Sequence, residues 1–229
     1  LFGDIVDPQL VVFFAGNQFM VMDDLIEAFK KNHPEYQRIF VETLPPGILA
    51  KQIEGGSITI GNMKITHQPD VYAAGKGRID SMKNHFSRIE TYAYNKLAIM
   101  VPKGNPKSVK TIQDLAKRDV KIAMPNPAWE GIGRQIVSVY QKIGGDQLEN
   151  QIMQQKVAKG STYLTKIHHR ESPMKILYRQ VDAAPVWYSE VIYQQLLNHP
   201  VEMIEIPRNQ NIRATYMVAE MKNAPRAKA

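Results

Sequence analysis

An α/β fold, with parallel sheets covered by helices, is predicted by three observations. Strand-like and helix-like segments alternate along almost the whole chain. Several strand segments are continuously apolar, as strands buried on both faces are. Tight turns rich in Gly, Pro and Asn join the end of one strand to the start of the next helix. In such folds a ligand is received where strand ends meet helix starts. The 229 residues suffice for one large domain or two small ones.

Gln9 to Ala15 is an unbroken apolar run and predicts a buried strand. Gly16-Asn17 ends it, and Phe19, Met22, Leu25, Ile26 and Phe29 then recur at helical spacing. Ile39 to Leu44 is a second strand. It leads through Pro45-Pro46-Gly47 into a helix with Ile48, Leu49 and Ile53 on one side. Ser57 to Gln68 alternates Ile58/Ile60 with Met63/Ile65 around Gly61-Asn62, the pattern of a small hairpin. Asp70 to Ala74 is a short buried strand, and Thr91 to Val101 a long one closed by Pro102-Lys103-Gly104-Asn105-Pro106.

A helix is then expected near Thr111 to Lys117, a strand at Val120 to Met124 and a loop at Pro125 to Trp129. Ile132, Ile136, Val139, Tyr140 and Ile143 form the apolar face of a helix from Gly131 to Ile143. Further helices are expected at Gln147 to Gln155, Met174 to Arg179 and Tyr188 to Leu197. The remaining strands are Val181 to Val186, Val201 to Ile206 and Ile212 to Ala219. There is no internal repeat.

Composition narrows the function classes. No stretch approaches the roughly 20 apolar residues of a membrane-spanning helix. The absence of cysteine removes disulfides, thiolate nucleophiles and thiolate metal sites, and suits an exported protein. The chain begins at Leu1 with no signal peptide in view, so an export segment is expected to have preceded it. Net charge is +7, from 29 Lys plus Arg against 22 Asp plus Glu. The basic residues are scattered, without the aromatic interleaving of a nucleic-acid surface, and a field that draws in a small anion fits the same charge. No nucleic-acid partner is expected.

Ile167-His168-His169-Arg170-Glu171-Ser172-Pro173 is the densest chemical segment, with two imidazoles, a guanidinium and a carboxylate together. Ser172 reads as an N-cap and Pro173 as the first helical residue, which would turn free backbone amides towards those side chains. A helix start of this kind attracts anions. The plainer reading is a hydrated loop whose charges pair among themselves.

Four stretches carry a resemblance. They are Val11-Val12-Phe13-Phe14-Ala15-Gly16-Asn17 with Asp24-Leu25; Leu49-Ala50-Lys51-Gln52-Ile53-Glu54-Gly55; Asp70-Val71-Tyr72-Ala73-Ala74; and Leu97-Ala98-Ile99-Met100-Val101-Pro102-Lys103. Taken in order, and continued through Asp182-Ala183-Ala184-Pro185-Val186-Trp187-Tyr188-Ser189-Glu190 to Tyr216-Met217-Val218-Ala219, they resemble the solute-binding proteins of ABC importers, in particular the molybdate-binding family. The resemblance implies a two-lobed type II periplasmic-binding-protein fold, each lobe a mixed, mostly parallel sheet flanked by helices, joined by two hinge crossings. It places the first lobe at 1–93 plus 208–229 and the second at 94–207, with a small anion clamped in the cleft between them. It also implies helices beyond the last strand, a location outside the cytoplasm, a monomer, and delivery to the permease and ATPase subunits of an importer. No cofactor is implied.

Carried over position by position, the resemblance puts Asn17 in the place of a first-lobe serine and Gly47, or Pro46 beside it, in the place of another. The loop Trp129-Glu130-Gly131-Ile132-Gly133 matches a helix start that offers amides. Arg170 matches another amide contact, and Tyr188 a ligand-facing tyrosine. His168, His169, Arg170 and Glu171 put charge where the family uses neutral donors. Guanidinium suits a carboxylate, phosphate or oxyanion, whereas imidazole with carboxylate suits a transition metal. Three readings therefore stand open. One is an anion held by Arg170, a histidine and helix amides. The second is a metal held by His67, His169 and Glu171, since adjacent histidines rarely turn both rings onto one ion. The third is a self-satisfied polar cluster.

Other groups carry plainer expectations. Trp129 is expected in the binding loop, whereas Trp187 and the methionines read as core. Glu190 is expected to be a first-turn helix charge, Asp23-Asp24 a solvated face, and His33, His85 and His199 surface residues. Enzyme signatures are lacking: there is no phosphate loop, nucleophile elbow or His-Glu-x-x-His helix. Ser172 lies too near His169 and Glu171 in sequence for a triad, which leaves a hydrolytic enzyme as the minor alternative. The sensor half of a transcription regulator would need a DNA-binding helix pair before the first strand, and Leu1 to Pro8 holds none.

Overall fold

The computed structural model describes residues 1–226; residues 227–229, the end of the expected first lobe, lie outside the described residues. In chain order the elements are β1 (Phe2–Gly3), β2 (Leu10–Ala15), α1 (Met22–Asn32), β3 (Ile39–Leu44), α2 (Pro46–Gly55), β4 (Ile58–Ile60), β5 (Met63–Ile65), β6 (Val71–Gly75), α3 (Lys76–Ser81), β7 (Phe86–Asn95) and β8 (Leu97–Pro102). They continue with β9 (Ile122–Met124), α4 (Gly131–Asn150), α5 (Lys156–Ala158), β10 (Thr162–Leu164), α6 (Glu171–Leu177), β11 (Ala184–Trp187), α7 (Tyr188–Leu196), β12 (Val201–Glu205) and β13 (Ala214–Met221). The chain divides into two compact units, Leu1–Tyr94 with the segment from Ala214 onward, and Asn95–Arg213.

The first unit is built on a six-stranded sheet among the described residues, in the order β1-β3-β2-β6-β13-β7. β2 runs parallel to β3 and β6, and β13 antiparallel to β6. The unbroken apolarity of β2 follows from its central place. Val11, Phe13 and Ala15 join one core with Phe40, Leu49, Tyr72 and Ile79, while Leu10 on the opposite face joins Met22, Ile39 and Val41. Asp70 fastens the sheet to the end of the described chain. Its carboxylate accepts the Val11 amide at 2.8 Å and the Arg226 amide at 2.8 Å, and it meets the Arg226 guanidinium at 3.3 Å.

The second unit departs from the expectation of mostly parallel sheets. β8 lies between β11 and β12 and is antiparallel to both, so the three-stranded sheet is antiparallel. β11 and β12 therefore point the same way, joined by α7 in a strand-helix-strand unit whose crossover skips one position, and β8 fills the gap from the opposite direction. Strand and helix alternation in a sequence cannot show such an insertion. β9 and β10 pair in parallel, and a parallel bridge at Ile122 and Ala183 brings the segment before β11 beside them.

Several expected elements shift. Thr91 to Val101 is two strands, broken at Lys96 between β7 and β8. Thr111 to Lys117 holds only a 3-10 turn at Gln113–Ala116, in which the Asp114 carboxylate accepts the Lys110 and Thr111 amides at 2.7 and 2.9 Å. α4 is two helical pieces broken at Gly144-Gly145, where Gly145 has φ +59°, a conformation open to glycine and strained for other residues. α3 and β10 had no periodic signal, being short and mixed with Gly, Lys and Thr.

Gly133, in the first turn of α4, permits the close packing of the Pro125–Pro127 loop. An added Cβ would lie 2.5 Å from the Pro125 carbonyl oxygen and 2.7 Å from the Pro127 nitrogen. Gly to Ala inside a helix ordinarily stabilises by up to about 1 kcal/mol. Here Gly133→Ala is expected to destabilise by about 1–3 kcal/mol through overpacking. Gly55→Ala, at the open end of α2 with nothing within 4 Å, is expected to be neutral or stabilising. Urea unfolding of the two variants checks the contrast, and a stable Gly133→Ala would refute the packing argument.

Candidate functional site

The polar groups of the second unit gather for a topological reason. β9 and β10 are parallel, and β11 is aligned with β9 by the Ile122 and Ala183 bridge. The loops that leave their C-terminal ends therefore emerge on one edge: Pro125–Trp129 before α4, Lys166–Arg170 before α6, and the direct step from β11 into α7.

Glu130 is the centre of this edge. It stands just before α4, only 8% exposed, with its amide bonded to the Asn126 carbonyl at 2.9 Å. Carboxylate oxygen Oε1 accepts the Thr165 hydroxyl and, at 3.3 Å, the Asn126 amide. Thr165 lies just past β10, and its hydroxyl oxygen also accepts the Asn126 amide at 3.0 Å. The other oxygen, Oε2, lies 3.3 Å from His169 Nδ1 but outside hydrogen-bond geometry, and is otherwise unpartnered. Burial raises the Glu130 pKa, but contacts with His169 and Thr165 outweigh it and hold the carboxyl below its ordinary range.

The adjacent histidines do converge, contrary to expectation. Their ring centroids are 3.9 Å apart and tilted by 39°. A tight turn makes this possible, with the Glu171 amide bonded to the His168 carbonyl at 2.9 Å and the Ser172 amide to the His169 carbonyl at 3.0 Å. Ligand atoms of Glu130, His168 and His169 all lie within 4.8 Å of one another. Burial is the main reason the His168 pKa falls to about 4, and the charge of His169 pushes the same way.

Glu171 does not join them. Its Oε1 accepts the amides of Lys166, Ile167 and His168 at 2.9, 2.5 and 3.0 Å, and its Oε2 accepts the Tyr163 hydroxyl at 2.7 Å. Burial raises its pKa, but the Tyr163 hydroxyl and these amides outweigh that and hold it low; in return Tyr163 is pushed up to about 12. Glu171 is thus a clamp on the loop, and the ligand atoms that converge within this unit are those of Glu130, His168 and His169. His67 belongs to the first unit, where its Nε2 lies 2.7 Å from the Ile5 carbonyl oxygen and its ring packs on Phe40.

The helix start is also displaced. α6 begins at Glu171 with Arg170 as its cap residue, so Ser172 and Pro173 sit within its first turn, both buried. Pro173 loses nothing there, because first-turn amides have no partner inside a helix. Glu190 lies in the first turn of α7, as expected, and is only 1% exposed. It accepts a hydrogen bond from Gln194 Nε2 at 2.9 Å and lies 3.8 Å from Arg170 Nε, while the Arg170 side chain remains 37% exposed.

The remaining candidates fall around these groups. Gly131 opens α4 at the surface, Ile132 is buried beside it, and Trp129 is 54% exposed in the loop before them. Tyr188, the first residue of α7, is half-buried beneath Lys96 Nζ, which lies 4.2 Å from the ring centre. In the first unit, β2, β3 and β6 are parallel, so Asn17, the start of α2 and the start of α3 share one edge. Asn17 Nδ2 donates to the Tyr216 hydroxyl at 2.6 Å, and the Pro46 carbonyl accepts the Tyr72 hydroxyl at 3.0 Å. A Cβ on Gly47 would lie 3.6 Å from the Arg78 guanidinium.

Sequence reasoning missed Arg78 because α3 had no pattern to announce it. It missed Glu130 and Glu190 as site groups because burial of a helix-start carboxylate leaves no trace in spacing. Thr165, between an apolar strand and the histidines, was equally silent.

Residues 10–229 match the family described as bacterial extracellular solute-binding protein. Among solved structures, the periplasmic molybdate-binding protein of Azotobacter vinelandii is 16% identical, over 96% of this chain and 88% of that one, with a TM-score of 0.71. The substrate-binding domain of a putative molybdenum ABC transporter from Clostridium difficile is 18% identical over 93% and 84%, with a TM-score of 0.66. A sulfate-binding protein from Mycobacterium tuberculosis is 14% identical over 93% and 75%, with a TM-score of 0.70. At such identities the likeness shows the fold, a mixed α/β arrangement with several sheets shared with periplasmic binding proteins. No curated protein matches the chain by sequence.

The lowered His168 pKa has a consequence for stability. Between 6.5, the ordinary value, and about 4, the unfolded chain holds a proton that the folded chain rejects, so stability falls as pH drops through this window. The low Glu130 pKa acts in the same direction at lower pH. After discount for partial exposure, the His168 contribution is on the order of 1–2 kcal/mol. Urea unfolding in EDTA at pH 7 and pH 4.5 is expected to show a smaller pH loss for His168→Gln than for the parent. Equal losses would reject the assignment.

Proposed function

This chain belongs to the bacterial extracellular solute-binding proteins, and from that premise we propose that it captures a small anion of the oxyanion, phosphate or carboxylate type for an ABC importer. The solute would be handed to a membrane permease powered by ATPase subunits, with no chemistry on the solute. Among the described residues, no helix is long and apolar enough to cross a membrane.

One observation carries the choice of an anion. In each unit the edge formed by the C-terminal ends of parallel strands holds an arginine beside a helix start. Arg78 stands next to Gly47 of α2 in the first unit, and Arg170 next to Glu190 of α7 in the second. Buried Glu190 anchors one side of Arg170 while more than a third of that side chain stays exposed, at 37%. A guanidinium held in place in this way is suited to grip an oxygen-rich anion through paired N–H donors. Helix starts add amides without intrahelical partners, at Gly47 in one unit and at Gly131 and Ile132 in the other. The ligands for which two structural neighbours are named, molybdate and sulfate, are of this class.

We propose further that the two compact units are the two lobes of this binding fold, with the chain crossing at Tyr94 to Asn95 and again at Arg213 to Ala214. Asn17 and Gly47 are the candidate contacts of the first lobe. Arg170, Tyr188 and the start of α4, with Trp129 in the loop before it, are those of the second.

A thermal-shift series over molybdate, tungstate, sulfate, phosphate and small carboxylates, run in EDTA, tests the reading. An anion at about 100 times its Kd stabilises by about 2.7 kcal/mol, a rise of about 5–10 °C for a chain of this size. Arg170→Ala is expected to abolish the rise and Arg78→Ala to weaken it, each read against the unliganded melting point of the same variant, which Arg170→Ala lowers because buried Glu190 loses its cation. A flat response to every anion, or an undiminished one in Arg170→Ala, would sink the proposal.

A further inference from the structure

We propose that Glu130, His168 and His169 form a binding site for a divalent transition-metal ion of the zinc class, built wholly within the second unit. This goes beyond the capture of an anion and does not depend on which anion is captured.

The donor set is the first ground. Two imidazole nitrogens with one carboxylate oxygen suit zinc and its neighbours, and three protein ligands leave a further position open for water or a solute oxygen. Geometry is the second. All three ligand atoms lie within 4.8 Å of one another. Ions bound at about 2.1 Å in a tetrahedron hold their ligand atoms about 3.4 Å apart. Glu130 Oε2 and His169 Nδ1 are already 3.3 Å apart, so a turn of the half-buried His168 ring is the main adjustment needed.

The third ground is what these atoms lack. Glu130 is 8% exposed and His169 9% exposed, yet Glu130 Oε2 and His169 Nε2 are both buried without a hydrogen-bond partner. Buried polar atoms are nearly always satisfied, and a carboxylate oxygen left without a hydrogen-bond donor at this depth is costly. An ion held by Glu130 Oε2 and His169 Nδ1 would engage that oxygen. The surrounding charges leave the position open to a cation. The Glu171 carboxylate is occupied by three amides and Tyr163, and Arg170 faces Glu190, so Glu130 is the local anionic charge on this edge. Thr165 and the Asn126 amide hold Glu130 Oε1 from behind, as outer partners of metal ligands commonly do. A bound dication would also reverse the sign of the charge that an incoming anion meets at the start of α4.

Cobalt titration of the EDTA-stripped full chain tests the site with the metal alone. The expected result is one equivalent bound with a visible ligand-field band, displaced by zinc, and bound about 10–100-fold more weakly, or not at all, by His168→Ala and by His169→Ala. His33→Ala, which removes an exposed imidazole, should titrate as the parent does. A second readout needs no variant: one equivalent of zinc should protect half-buried His168 from modification by diethyl pyrocarbonate, mapped on peptides. Absence of a saturable band, a band unchanged in both site variants, or no protection by zinc would overturn the site. Because the anion series is run in EDTA, either proposal can fail while the other stands.

Discussion

A buried carboxylate at the start of α4 is the constraint around which the second unit's polar edge is arranged. Glu130 would cost several kcal/mol if left unpaired at that depth. Its contacts come from two loops: the Asn126 amide in its own, and, from the loop between β10 and α6, the Thr165 hydroxyl on one oxygen and the His169 ring 3.3 Å from the other. One charge thus ties the loop that leaves β9 to the loop that leaves β10. The positive end of α4 favours the same charge. Gly133 completes the arrangement, since only a residue without Cβ lets the Pro125–Pro127 loop close over the first turn.

Three glutamates in this region show how environment divides the labour of one side-chain type. Glu171 accepts three consecutive loop amides and a tyrosine hydroxyl, which makes it a structural clamp. Glu190 is almost wholly buried and faces Arg170 and Gln194, so it holds a guanidinium in place. Glu130 keeps one oxygen fully engaged and the other facing an imidazole. Spacing along the chain would rank Glu171 first as a ligand because it sits beside the histidines, yet its lone pairs are the most completely used.

The first unit shows a parallel solution with a different acid. Asp70 accepts an amide from β2 and another from Arg226, and it meets the Arg226 guanidinium, so the sheet and the end of the described chain are tied at one buried point. On the opposite ends of the same strands, Asn17, Gly47 and Arg78 gather because β2, β3 and β6 run parallel. Both units thus leave their helix starts and arginines on the C-terminal edge of parallel strands, where backbone amides are least committed.

The sequence by itself determined the elements whose cause is local. Continuous apolarity gave β2 at its observed place, Gly61-Asn62 gave the β4 and β5 hairpin, and Gly144-Gly145 ended the first piece of α4 where the apolar stripe stops. It also gave the class of protein, because the order of motifs from Val11 to Ala219 survives substitution of single contacts. Only the tertiary structure decided which polar groups meet. The antiparallel insertion of β8, the burial of Glu130 and Glu190, the convergence of His168 and His169 and the arrival of Arg78 beside Gly47 depend on segments distant in sequence or on the path of a tight turn. Hydrophobic periodicity records which face of an element is buried; it carries no record of which loop ends that burial brings together.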